Sequence, residues 1–309
     1  MRRKFLIVAP SYNENIGGIV VLHKLCHLLN ERGVRSCILP YEDNYLLNSC
    51  NISGSIYAVF KQYVKLWLTR YKLNAEFNTP LLTKVPVDID DPSWVVIYPE
   101  VVNGNPLNAK RIVRWFLHQP GFHSGNIFFG AGELHVKYNS AIYDFRFPDC
   151  TLAIDHLKII HYPTNFYNQT DVLMQRKGTA YCLRKGKDKE LVHDLMDSVL
   201  IDGKSHAEIA KIFKSVDRFI SYDTLTAYSR FAALCGCTSI VVPDSGVSID
   251  DWYPNDKDRC GISYGFNHES ILEANATRHL VSSQIQDEEL QCSNDITRFL
   301  KNVDNHFKG

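Results

Sequence analysis

Four cations lie within the six residues Arg184-Lys185-Gly186-Lys187-Asp188-Lys189, directly after the apolar run TAYCL. A diphosphate gains negative charge as a bond to it breaks, and cations aimed at it stabilise that charge without a metal. Arg offers a two-pronged fork for phosphate and Lys a point charge. Arg184 and Lys185, nearest the strand end, are the first candidates, and Lys187 and Lys189 follow. A second polar segment, Tyr222-Asp223-Thr224-Leu225-Thr226, precedes a helix rich in small residues, and Thr224 or Thr226 can cap that helix. Its N-terminal amides would then face phosphate oxygens. In the first half, Gly17-Gly18 opens a helix after Asn13, Glu14 and Asn15, leaving bare backbone N–H groups where the helix dipole favours an anion. The spacing is not G-x-G-x-x-G, so no dinucleotide fingerprint is present. Glu100 in YPE and His118 in LHQPG end two further apolar runs. Either can take a proton from a hydroxyl or steady it, and Pro120-Gly121 fixes a turn just after the His118 ring.

Two other groupings read more plainly. The histidine pairs His118/His123 and His156/His161 lack a matched ligand set, so no metal is expected. Asp88-x-Asp90-Asp91 precedes Pro92 and reads as a solvated loop. Tyr57, Phe60, Val64, Trp67 and Tyr71 fall on one helical stripe flanked by Lys61, Lys65, Arg70 and Lys72. That composition suits either a helix packed on a sheet or one lying on an anionic membrane, so Ile56–Tyr71 is a candidate peripheral membrane contact.

These segments need elements to hold them. KFLIVAP is apolar throughout, as a strand covered on both faces is. Ile19, Leu22, Leu25, Cys26 and Leu29 recur at helical spacing until Gly33, and VRSCILP follows as a strand. WVVIYPE and IVRWFLHQPG are the next strands, with shorter candidates near 127–129, 141–145 and 151–154. The second half alternates TAYCLR, SVLI, the helix HAEIAKIFKSV, RFISY, the helix AYSRFAALCG and TSIVVPD. Ser205 with Glu208 three residues on makes a capping box. Strands alternating with helices of about ten residues call for a parallel sheet. The expected fold is therefore α/β, two Rossmann-like parallel-sheet domains facing a central cleft. Residues 1–168 and 169–309 form the two domains, and YPTNFYNQT (162–170) is the linker. Ligands of open α/β sheets sit beyond the carboxyl ends of the strands. The candidates there include Gly203 in the DGKS turn and Ser245 and Gly246 in PDSG.

The 309 residues are enough for two cores of about 150 each. Lys plus Arg equals Asp plus Glu at 34 each, which gives none of the basic excess of a nucleic-acid binder. No run approaches the roughly 20 apolar residues of a membrane span, and the N-terminal apolar run is too short for a secretory leader. Nine cysteines, an odd number without a C-x-x-C pair, mostly sit in apolar runs and suit a reducing cytoplasm.

The C-terminal order of strand, basic loop, strand, DG turn, helix, strand, polar loop, helix ending in CG, apolar strand and PDSG resembles GT-B glycosyltransferases. AALCGCTSIVVPDSG and GGIVVLHKLCHLLNERG carry the resemblance over nearly the whole chain. The closest flavour is the bacterial group that builds capsule, lipopolysaccharide O-chains and cell-surface glycans. It implies a cytoplasmic enzyme, and the Ile56–Tyr71 stripe makes the inner face of the cell membrane a candidate peripheral location. It would use a nucleotide-sugar donor, a glycan or lipid-linked acceptor and no cofactor. Many retaining members carry two glutamates eight positions apart near this helix. Here Phe231 stands at the second position and Asp223 near the first, so Asp223 is the candidate for part of that work and the stereochemical outcome stays open. A nucleotide-sugar epimerase and a non-catalytic nucleotide-sugar binder are the alternatives. The expected site is thus His118, Glu100 and Asp223 for chemistry. Gly17, Gly18, Arg184, Lys185, Lys187, Gly203, Tyr222, Thr224, Thr226, Ser245 and Gly246 are expected to hold the donor.

Overall fold

The structure, a computed structural model, describes residues 2–41, 57, 60, 61, 64 and 70–308. It divides into two compact units. One comprises Met1–His161 with Glu289–Gly309, and the other comprises Tyr162–Glu288.

The first unit is built on a six-stranded, wholly parallel sheet. Its strands are β1 (Lys4–Ala9), β2 (Ser36–Pro40), β3 (Trp94–Pro99), β4 (Ile112–Phe116), β5 (Leu134–Lys137) and β6 (Thr151–Leu152). Their order is β2-β1-β3-β4-β5-β6. The period-two geometry of a strand sends alternate side chains to opposite faces. Phe5, Ile7 and Ala9 accordingly join one core cluster, while Leu6 and Val8 join another. Helix α1 (Gly17–Glu31) lays Val21, Leu22, Leu25, Cys26 and Leu29 on the first face. Each such buried side chain contributes roughly 1.5–3 kcal/mol.

The second unit has a five-stranded parallel sheet. Strands β7 (Thr179–Cys182), β8 (Ser198–Leu200), β9 (Arg218–Ser221), β10 (Thr238–Val241) and β11 (Ile262–Tyr264) lie in the order β11-β10-β9-β7-β8. Helices α2 (His206–Ser215) and α3 (Tyr228–Leu234) cover one face through Ile209, Phe213 and Phe231, joined by Cys235 just past α3. Ile220, Tyr222 and Ile240 form the other face, with Ile271 of α5 (His268–Thr277) packed on it. Between β10 and β11 lies a single turn, α4 (Ile249–Trp252). The capping box of Ser205 and Glu208 is present at the start of α2.

The boundary differs from the sequence expectation in two places. The 162–170 segment is not a free linker. Tyr167 is buried, stacks on Phe231 at 4.3 Å between ring centroids and meets His206 Nδ1 through its hydroxyl at 2.6 Å. The division therefore falls between His161 and Tyr162 rather than after 168. Residues 289–309 are counted with the first unit because the later turns of α6 (Val281–His306) place Cys292, Ile296, Phe299 and Val303 on its core. The proposed strands near 127–129 and 141–145 are irregular loops, and β5, which was not anticipated, lies between them. The stripe at Ile56–Tyr71 falls largely outside the described residues. Of it, Tyr57, Phe60 and Val64 are helical and exposed. No described helix is long and apolar enough to cross a membrane.

Candidate functional site

Each sheet has a point where the strand order reverses, and each reversal carries a set of polar groups. In the second sheet, β8 lies on one side of β7 and β9 on the other. Such switch points open a crevice at the carboxyl ends of the two strands. Register fixes what meets there. Cys182 of β7 pairs with Ser221 of β9, so the chains leave the sheet level with each other and Arg184 comes opposite Asp223. Arg184 Nε lies 3.8 Å from Asp223 Oδ2, and the guanidinium stands over the Tyr228 ring, 5.3 Å from its centroid. Asp223 is only 6% exposed, while the Arg184 side chain is about a third exposed.

The backbone that presents Arg184 is unusual. Its φ is +43°, in the left-handed region that costs a non-glycine residue free energy. Among the described residues, the other non-glycine positions with positive φ are Asn or Asp, which tolerate that region. Two devices hold Arg184 there. Asp202, at the end of β8, accepts hydrogen bonds from the backbone N–H groups of Leu183 (3.1 Å) and Arg184 (2.9 Å). Gly186 lies so close to Tyr222 that a Cβ would stand 2.0 Å from the Tyr222 carbonyl oxygen, so no other residue fits.

A second tie joins three strand ends. Lys189 Nζ donates to the Val242 carbonyl (2.7 Å) and pairs with Asp244 (2.7 Å), and Thr224 Oγ1 donates to the other Asp244 oxygen (3.0 Å). The hydrogen bond from Lys189, followed by that from Thr224, holds the Asp244 carboxyl below its ordinary range. Trp252 Nε1 adds a bond to the Thr224 carbonyl. Ser245 and Gly246 lie exposed just beyond.

In the first sheet the reversal lies between β1 and β3. Glu100 stands directly at the end of β3 and is 4% exposed. Pro99 pairs with Trp115, which brings the Glu100 carboxylate to the end of β4, where Oε2 accepts the Leu117 N–H at 2.9 Å. Burial outweighs this and other backbone hydrogen bonds and pushes the carboxyl up to about 7. A carboxyl near neutrality is suited to exchanging a proton at working pH. His118 follows Leu117, exposed, with its ring against Phe122 at 4.2 Å and His123 at 4.8 Å between centroids. Helix α1 begins beside them, since a Cβ on Gly18 would lie 3.6 Å from Leu117 Cδ1. Gly17 faces open space, and no side chain caps the helix.

The sequence-derived set is thus partly gathered. Glu100, His118, Gly18 and Gly17 share the strand ends of the first sheet. Arg184, Asp223 and Thr224 share those of the second. Lys185 and Lys187 are exposed in the same loop. Gly203 forms the exposed turn after Asp202. Tyr222 departs from expectation: it has no exposed surface, its ring lies in the core, and its hydroxyl accepts from Val192 N–H (2.9 Å) and meets His193 Nδ1 (2.7 Å). Strand alternation sends its side chain into the sheet face, so no surface of it remains for a donor. Thr224 does not cap α3, because its hydroxyl is given to Asp244. Thr226 accepts from Tyr228 N–H at 3.4 Å, but the cap residue is Ala227, and α3 has only seven residues. Phe231 is a core residue. Asp88 and Asp91 are spent on Lys4 and on Ser93, in a solvated turn. No cluster of three metal-ligating side chains occurs among the described residues.

The missed residues are Asp202 and Asp244. Each had a visible signal, being a charged side chain within a few residues of a strand end.

No protein-family model matches the sequence. No curated protein matches it. Among solved structures, the crystal structure of MurG from Acinetobacter baumannii aligns over 90% of this chain and 98% of its own, with 10% identity and a TM-score of 0.33. So loose a superposition carries no inference about chemistry.

Proposed function

We propose that this chain is a glycosyltransferase of the GT-B type, moving a sugar from a nucleotide-sugar donor to a glycan or lipid-linked acceptor. The observation that carries the reading is Arg184. It is a partly exposed guanidinium held in a left-handed backbone conformation beside a buried carboxylate, at the switch point of a parallel sheet. Left-handed strain of this kind persists where surrounding structure enforces it, and it clusters at ligand sites. A nucleoside diphosphate suits the fork of Arg184, with Lys185 and Lys187 in the same loop, and Asp223 is proposed to take a ribose hydroxyl. Cations of this kind stabilise the leaving diphosphate, so transfer is proposed to be metal-independent. Glu100 and His118 supply the acceptor side, where a carboxyl near neutrality takes the hydroxyl proton as the new bond forms.

The proposed setting is the cytoplasm of a bacterium, at the inner membrane face, in assembly of a surface polysaccharide. Flotation with anionic liposomes tests the membrane part, and Trp67→Glu should abolish it. The main test is calorimetric titration with nucleoside diphosphates, followed by turnover of the matching nucleotide sugars with and without EDTA. Binding with EDTA-insensitive transfer supports the proposal. Binding without turnover makes the chain a binder, and donor conversion without an acceptor makes it an epimerase-like enzyme. A strict metal requirement restored by add-back overturns the GT-B reading.

A further inference from the structure

The loops around Glu100 and His118 expose three aromatic rings that their own backbone geometry keeps out of the core. Phe122 is 68% exposed, Phe128 52% and Tyr143 81%. Burying such a ring is worth roughly 1.5–3 kcal/mol, so three left in water at one edge need a reason. Poor packing does not supply one. Phe128 and Tyr143 each adjoin a buried residue, Phe129 and Ile142, and both of these pack in the cluster around Phe116. The loops are thus anchored while their rings stay outside.

The anchoring leads back to the acid–base pair. Gln119, next to His118, accepts the Phe122 N–H on its backbone carbonyl (3.1 Å) and the Tyr143 N–H on its side-chain oxygen (3.0 Å). Phe128 N–H donates to Asn103 Oδ1 (2.9 Å), and its carbonyl accepts from Gly104 N–H (2.6 Å), in the loop that follows Glu100. Lys137, itself buried, grips both sides of Tyr143 by donating to the Ile142 carbonyl (3.1 Å) and to Asp144 (2.5 Å). Gly121, at φ +83°, makes the turn that sends Phe122 onto His118, and a Cβ there would press on Ile127 at 3.1 Å.

We infer that Phe122, Tyr143 and Phe128 form a platform for a pyranose ring of the acceptor, so that the acceptor presents a sugar, rather than a bare lipid phosphate, to Glu100 and His118. The C–H bonds on one face of a pyranose carry partial positive charge and are apolar enough to leave water. The face of an aromatic ring is negative and apolar and receives them. The sugar's hydroxyls point outward around that face, where Glu100, His118 and the amide NH2 of Gln119 can accept or donate. Rigid rings on pinned loops also lose little conformational freedom when a ligand lands. A flexible lipid tail needs none of this pinning.

This inference rests on reading Glu100 and His118 as the acceptor-side pair, and its test is separable from the test of the donor site. The full chain is screened by ligand-observed NMR against methyl glycosides of glucose, galactose and N-acetylglucosamine and their β-linked disaccharides. At least one should bind. Phe122→Ala and Tyr143→Ala should each weaken it about three- to tenfold, as expected for losing one ring contact. Tyr143→Phe and Phe122→Tyr should restore binding. Melting temperatures should hardly move, because the rings are exposed, and nucleoside-diphosphate affinity should be unchanged in all four. The inference is overturned if no saccharide binds the parent or if the alanine variants bind it equally well. It is overturned too if the variants lose nucleotide affinity or flotation with phospholipid vesicles instead. Should Arg184→Ala leave nucleotide binding intact, the donor reading falls while the saccharide result still decides this one.

Discussion

The two sheets reverse direction in the same way, yet what stands at each reversal differs in kind. In the first unit the charge is made unwelcome. Glu100 is enclosed, and burial dominates its ionisation. In the second unit charge is welcomed and balanced. Arg184 faces Asp223, and Lys189 is paired with Asp244. Under the proposed function the same topology gives one end for proton exchange and one for holding an anion. A shared switch point shows where ligands can go, and the electrostatics of the individual side chains determine what happens to them. Under the proposed function these are the two halves of a glycosyl transfer, deprotonation of a nucleophile and support of a leaving group.

The sharpest way to break the comparison is Glu100→Gln. It keeps the shape and an acceptor for Leu117 N–H but cannot take a proton. General-base catalysis is worth about 10²–10⁴-fold, so turnover should drop by that much. Nucleoside-diphosphate affinity should stay within error in a calorimetric titration, because that ligand is assigned to the other unit. His118→Ala should move the same way by less. If Glu100→Gln weakens nucleotide binding and spares turnover, the assignment of roles to the two units is reversed.

The same substitution has a consequence for stability of known sign. The unfolded carboxyl titrates near 4.5 and the folded one near 7, so between these values the folded chain keeps a proton that the unfolded chain has lost. Stability therefore falls as pH rises through that window and stays low above it, by on the order of 3 kcal/mol. Glu100→Gln should be more stable than the parent at pH 8 and no more stable at pH 4, measured by denaturant melts. Asp244 has the opposite sign. Its lowered carboxyl supports the fold above the ordinary aspartate range and loses that support as pH falls. A parent chain whose pH dependence is untouched by Glu100→Gln would mean that Glu100 is already ionised and solvated.

On the anion side, Arg184→Ala should weaken nucleoside-diphosphate binding by about 1.5–3 kcal/mol, the worth of a charge-assisted hydrogen bond. Turnover should fall further, since charge on the leaving group grows in the transition state. Lys185→Ala should act in the same direction. Asp223→Ala should impair donor use with acceptor affinity unchanged. Equal nucleotide affinity in Arg184→Ala and the parent would place the donor elsewhere.

Much of the framework behind these expectations was legible because it depends on local pattern. Uniformly apolar runs gave β1, β3 and β4, helical spacing gave α1 and α2, and the Ser205–Glu208 pair gave a cap. Three things depend instead on distant partners. Strand β5, LHVK, has only four residues and two polar ones. His135 and Lys137 are tolerated inside because Glu133, and Ile142 with Asp144, answer them. Membership of 289–309 in the first unit is decided by Phe5 and its neighbours, to which Phe299 packs at 5.9 Å between ring centroids. Within the candidate site, strand ends marked the right loops, but which charged residue faces outward is set by register. Tyr222 and Asp223 are adjacent, and only the second meets Arg184 at the strand ends. Lys189 ranks below Arg184 and Lys185 by distance from the strand end, yet its ammonium has two partners, the Val242 carbonyl and Asp244.

That lysine supplies the smallest effect and the finest discrimination between holding a loop and holding a ligand. Lys189 Nζ is committed to a backbone carbonyl and to Asp244, whose side chain is nearly half exposed, so solvent screens the ion pair. Pairs of this exposure contribute about 0–1 kcal/mol, and the hydrogen bond to Val242 adds roughly as much again. Lys189→Ala should therefore destabilise the fold by about 1 kcal/mol in a denaturant melt, an effect that high salt reduces. Lys185, which is exposed in the same loop, should show no measurable loss of stability on the same change. In nucleotide binding the order should invert. Lys185→Ala should cost affinity directly and with strong salt dependence. Lys189→Ala should do so only through the lost tie between the 183–190 and 243–247 loops, and replacement by Arg should restore it. If Lys189→Ala leaves stability untouched and lowers nucleotide affinity as much as Arg184→Ala, then Lys189 leaves Asp244 for the phosphate when the ligand arrives. The second unit would then hold its anion with a cation that it keeps paired at rest.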